Sequence, residues 1–206
     1  MATTMSTSMQ GKAMTTEERL AQEPILRLDT RTIVGSLLLA VAFSATMQIT
    51  ERIDQIWTGG MAVPLGHTFA QVWWPVTVIY FGLTGALIVA NFNPILAVLS
   101  ATHPLAWSFF FLNMAETVPL AFMFRWYLRT RGPLTFVPFI VIVAIGDFLA
   151  NLVQAFALSM GVLQLPLLGF PSVIALFIWQ WGMAVIIGGT IGWYVYKAFS
   201  RSGVLG

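Results

Sequence analysis

Five stretches of this chain, residues 32–50, 72–90, 95–124, 134–160 and 173–196, run almost without charge, and each is long enough to cross a bilayer. A spanning helix needs about 20 predominantly apolar residues. Composition agrees: 58% of the 206 residues are hydrophobic, only 9% are charged, and mean hydropathy is +0.83. A soluble domain carries about 25% charged residues, so this chain could not cover its own surface in water. Disorder, a disulfide scaffold and a cytosolic globular enzyme are excluded on the same ground. Ten basic and eight acidic residues leave a net charge of +2, too little for a nucleic-acid-binding face. With no cysteine, thiolate metal sites and cysteine nucleophiles are absent too. The expected fold is an all-α integral membrane protein with its spans in one bundle.

The number of spans turns on residues 95–124, 30 residues with no basic side chain. Cytoplasmic loops carry the excess of Lys and Arg. Read as one span, this stretch gives five crossings and splits the basic residues between the two sides. Read as a broken pair turning near 104–108, it gives six and puts every basic residue but Arg52 inside. Six is therefore expected, with five as the alternative and both termini cytoplasmic. Residues 1–31 read as a polar cytoplasmic tail without the basic-then-apolar order of a signal peptide. The tail ends in a short surface segment carrying Leu20, Ile25, Leu26 and Leu28. Residues 32–200 form the membrane domain and 201–206 a short tail. Residues 55–70, with Gly59, Gly60, Pro64 and Gly66, read as a loop capping the membrane.

Small residues four apart let helices approach closely in lipid. Ser36, Ala40 and Ser44 form one such ridge, Gly82, Ala86 and Ala90 a second, and Ala184, Gly188 and Gly192 a third. Each fits packing inside the bundle, and the first also fits a partner membrane protein. Ionisable residues inside spans are functional-site candidates by default. Asp147, Asn151 and Gln154 share one helix face, and Asn113 and Glu116 share another. With Gln180 and His103 they either line a polar cavity or tie helices together. Trp57, Trp73 and Trp74 are expected in an aromatic belt at the outer boundary, and Trp126 and Tyr127 at the inner one. Trp107, Trp179 and Trp181 are candidates for cavity walls.

Much chemistry is missing. The two histidines, His67 and His103, lack the companions of a catalytic metal site, and no GxSxG elbow or phosphate-binding loop occurs. No enzymatic activity and no cofactor are expected.

A chain of this length with six spans, both ends inside, no repeat and no ATPase motif resembles the substrate-binding S component of an energy-coupling factor (ECF) transporter. The Ser36-Ala40-Ser44 ridge is similar to the small-residue surface by which such subunits dock on a coupling subunit. The loop at 55–70 resembles their lid, and NFNPILAVLSATHPLAWSFFFLN, residues 91–113, resembles stretches of some members. The resemblance implies a plasma-membrane capture subunit for a vitamin or related small molecule, such as thiamine or its pyrimidine precursor. Its partners would be a transmembrane coupling subunit and two ATPases. Trp57 and His67 would then be lid contacts, Glu116, Asp147 and Asn151 polar anchors, and Trp107 and Trp179 stacking walls. A non-catalytic subunit of a respiratory or photosynthetic complex is the alternative, followed by a small ion-coupled carrier.

Overall fold

The computed structural model describes residues 14–59, 62–102, 106–159 and 170–202, which are helical apart from short connections. A short helix α1 (Thr16–Gln22) precedes α2 (Thr30–Thr58) and α3 (Pro64–Ser100). A 3₁₀ turn, Ala106–Ser108, leads into α4 (Phe109–Thr130), and α5 (Phe136–Ser159) follows. The last span is α6 (Phe170–Met183), a π-helical turn (Ala184–Gly189) and α7 (Thr190–Ser202), running on without a break. Five helical stretches are long and apolar enough to cross a membrane.

One of the five, α3, is a hairpin of two helical arms. Gly82 sits at φ 60°, ψ −142°, a conformation outside the helical region that glycine alone adopts freely. A Cβ on Gly85 would lie 2.8 Å from the Thr77 carbonyl oxygen. Residues eight apart in a continuous helix are separated by about 12 Å, so the chain reverses at Gly82. Contacts along the arms agree: Val63 clusters with Ala97, and Ala70 and Trp74 with Val89. The arms, 64–81 and 83–100, each hold 18 residues, about the length of one crossing, so the described residues supply six helical arms of spanning length.

The expected count therefore holds through a different division of the chain. The segment 95–100 is the end of α3's second arm, so Asn91, Asn93 and Pro94 do not close a span. The break near 101–108 is where the sequence reading put it, but it separates α3 from α4. Of the loop expected at 55–70, residues 55–58 belong to α2 and 64–70 to α3. Gly59 ends α2 in the left-handed conformation, and Pro64 opens α3 at a position where a missing N–H costs nothing. Asp54, buried on α2, accepts from the backbone N–H groups of Leu65 (3.0 Å) and Gly66 (2.8 Å) and so caps α3.

The N-terminal segment is tied to the bundle. Leu20 is buried in the main core. Leu83, at the start of the second arm, donates its N–H to the Ile25 carbonyl at 2.7 Å. The Thr84 hydroxyl accepts from the Arg27 N–H and donates to the Arg27 carbonyl across the same contact. Arg125 on α4 donates to the carbonyls of Leu20 and Glu23, and Arg129 to those of Ala21 and Glu23. The Thr32 hydroxyl and N–H hold the Asp29 carboxylate below its usual range, so its cap on α2 is complete at neutral pH and lost only in acid.

The bundle turns apolar side chains outward and keeps its ionisable and amide groups inside, the distribution a lipid surrounding selects. Along α5, Val141, Ile145, Phe148, Leu152 and Phe156 form an exposed stripe, while Asp147 and Gln154 are buried. The described basic residues other than Arg52 gather at the end of the bundle that holds the Gly82 turn. This is a multi-pass membrane protein.

Candidate functional site: a buried polar cluster between three helices

The first arm of α3 carries His67, Gln71 and Trp74 on one face, at spacings of four and three residues. His67 Nδ1 lies 2.6 Å from Asp147 Oδ1 on α5. Gln71 donates its amide N–H to Glu116 Oε1 on α4. One ligand atom each from His67, Glu116 and Asp147 falls within 4.8 Å of the others. His67 is 6% exposed, and Gln71, Glu116 and Asp147 are fully buried. Gln71 Oε1, Glu116 Oε2 and Asp147 Oδ2 have no hydrogen-bond partner in the protein. Buried polar atoms are almost always satisfied, so three orphan acceptors on neighbouring side chains point to something beyond helix cohesion.

Beside the cluster lies a cavity of about 20 Å³, lined by His67, Trp74, Asn93 and Asn113 among others. That is room for about one water molecule. The cluster sits nearer the Arg52 end than the basic end, because His67 is in the first turn of α3 and Glu116 two turns into α4.

The last span holds the first arm in place. A Cβ on Gly188 would lie 2.1 Å from the Thr68 carbonyl oxygen, and one on Gly192 2.2 Å from that of Gln71. The ridge Ala184-Gly188-Gly192 is thus a backbone-to-backbone contact directly behind His67 and Gln71. Gly188→Val should destabilise the protein by about 1–3 kcal/mol through overpacking. Gly182→Ala, where nothing lies within 4 Å, should be neutral or gain up to about 1 kcal/mol. Thermal melts of the two variants in detergent check this contrast.

Three further groups join helices. Gln180 donates to Asn151 Oδ1 (2.9 Å) and Gln154 Oε1 (3.0 Å), and accepts from the Val63 N–H at 2.9 Å. Asn93 and Thr102 donate to Glu51. Asn113 and Thr117 donate to the Ala90 and Ala86 carbonyls, where the ridge on α3's second arm lets α4 approach closely.

Of the residues singled out from sequence, Glu116 and Asp147 meet in the cluster, joined by His67. His67 is no lid contact, because residues 64–70 are helix and its ring lies inside the bundle. Asn151 donates to the Asp147 carbonyl and otherwise belongs to the Gln180 network. Trp57 stands 61% exposed at the end of α2, edge-on to Trp179 at 5.9 Å. Trp107 and Trp179 are likewise at the surface, away from the cavity. Trp74, expected in the outer belt, is 3% exposed and lines the cavity instead. Trp181 donates its indole N–H to the Ala144 carbonyl, tying the last span to α5. Ser36, Ala40 and Ser44 are buried inside the bundle, so the ridge serves internal packing and α2 turns Leu38, Val41 and Ile49 outward. His103 lies outside the described residues. Sequence reasoning missed Gln71 and Trp74, whose helical spacing from His67 is the signal, hidden by reading 55–70 as a loop.

Comparison of the chain with family models, with curated proteins and with solved structures finds no match.

Proposed function

We propose that this chain is a membrane-embedded capture subunit for a small polar solute, of the S-component type that works with an energy-coupling factor. The observation that carries the reading is the cluster of His67, Gln71, Glu116 and Asp147, with its three orphan acceptors and with a small cavity on the other side of His67. Ionisable groups are costly at membrane depth and are kept there for binding or relay. Six crossings and the absence of any nucleotide-binding motif fit a subunit that binds solute and relies on partners for energy.

The positive-inside rule places the Gly82 turn, the 131–135 connection and both termini in the cytoplasm. The cluster then lies in the outward half, on the side from which an importer takes its solute. A vitamin needs a pocket of about 300 Å³ or more, so one the size of thiamine would enter only if the helices around the cavity part. The docking surface would be the apolar outer face of α2 or another span, since the small-residue ridge is buried.

Affinity purification from native membranes in mild detergent tests this. The expected companions are one transmembrane coupling subunit and two ATPases. Recovery with the subunits of an electron-transfer complex would overturn the reading in favour of a structural role.

A further inference from the structure

The cluster presents acceptors almost exclusively. Gln71 spends an N–H on Glu116, and the His67–Asp147 contact uses one ring nitrogen. What is left is Gln71 Oε1, Glu116 Oε2 and Asp147 Oδ2, three oxygens with no donor facing them. The other ring nitrogen of His67 is free of any hydrogen bond to these three side chains. Among the described residues no Lys or Arg side chain pairs with either carboxyl group. Arg125, on the same helix as Glu116, is nine residues further on and is bonded to the N-terminal segment.

We propose that His67, Gln71, Glu116 and Asp147 hold one divalent first-row transition-metal ion such as Zn²⁺, Co²⁺ or Ni²⁺. The donor set selects that class. An imidazole with carboxylate and amide oxygens suits these borderline ions, whereas Mg²⁺ and Ca²⁺ take oxygen ligands only. The ion would take the place of the proton between His67 Nδ1 and Asp147 Oδ1, 2.6 Å apart, so that both side chains turn a donor atom to it. A 4.8 Å spread among the three ligand atoms closes to coordination distances around 2.0–2.2 Å with small side-chain movements. The water-sized cavity beside His67 leaves room for a water as a further ligand. The ion would join the first arm of α3, α4 and α5 at one point. This inference goes beyond the capture reading and does not depend on it, since a resident ion and a captured one would occupy the same ligands.

The test uses the full chain purified in detergent and freed of metal. Titration with Zn²⁺, Co²⁺ and Ni²⁺ should show one ion per chain, and Co²⁺ should give the visible absorption of a nitrogen- and oxygen-ligated site. Mg²⁺ should not compete. His67→Gln, Glu116→Gln and Asp147→Asn should each weaken binding by about tenfold or more, whereas Glu51→Gln, in the separate group with Asn93 and Thr102, should leave it unchanged. Should the cluster variants not fold, the wild-type protein decides alone: the transition metals should raise its melting temperature and Mg²⁺ should not. No stoichiometric ion, no shift in melting temperature, or equal affinity in the cluster variants would overturn the proposal. Metal binding without any organic companion leaves the capture reading to its own test. An organic solute that is lost on Glu116→Gln, without metal, keeps that reading and ends this one.

Discussion

Gly82→Ala is expected to cost about 2–6 kcal/mol. Two effects add. An L-residue at φ 60°, ψ −142° is held in a conformation worth about 1–3 kcal/mol of strain. The new Cβ would also lie 2.2 Å from the Ile25 carbonyl oxygen, which accepts the Leu83 N–H. Relieving that clash means moving the segment that covers the turn, at about 1–3 kcal/mol more. For a chain of this size, about 2–4 °C per kcal/mol puts the melting temperature down by roughly 5–20 °C. Gly132→Ala supplies the comparison, because Gly132 has φ 86° but nothing within 4 Å of its Cβ position. It should lose only the strain. Equal melting temperatures for the two variants would mean that the close approach of Ile25 contributes nothing.

Removing His67 alone should be worse than removing His67 and Asp147 together. His67→Leu leaves the Asp147 carboxyl without its 2.6 Å partner in a site it cannot leave, and breaking a buried pair from one side costs about 3–5 kcal/mol. His67→Leu/Asp147→Leu removes both polar groups and fills the space with apolar atoms, which is often neutral. The double variant should therefore melt well above the single one. Both should be unable to hold a ligand, so the pair separates folding from binding. If the double variant is instead as unstable as the sum of the two single ones, the two side chains do not act as a pair.

Much of the architecture is legible in the sequence because lipid imposes a simple rule: apolar runs of sufficient length cross. Charge then orders the crossings, and six was the better count on that ground. The exact division was hidden at Gly82. This turn carries no charge and no run of polar residues, because the Leu83 N–H is met by the Ile25 carbonyl and the Tyr80 carbonyl by the Arg27 guanidinium. Hydropathy therefore runs on between Phe81 and Leu83 without a dip. The opposite error arose at 55–70, where glycines and Pro64 suggest a loop. There Pro64 and Gly66 belong to a helix start, and Gly66 is small because Met47 and Asp54 approach it.

The site was half legible for the same reason. Glu116 and Asp147 stand out as acids in apolar surroundings, and they do meet. His67 looks like a loop residue until the helix register is known, after which it shares a face with Gln71 and Trp74. The tryptophans at 57, 107 and 179 carried no information about depth, since an aromatic ring suits both a cavity wall and an interface.

Native mass spectrometry of the gently extracted wild-type chain beside Glu116→Gln tests most directly whether the buried cluster captures a solute. The predicted result is one small adduct per wild-type chain, released on denaturation, and the bare mass for the variant. Bare masses for both, from a chain that always arrives in company with the same set of electron-transfer subunits, would contradict it.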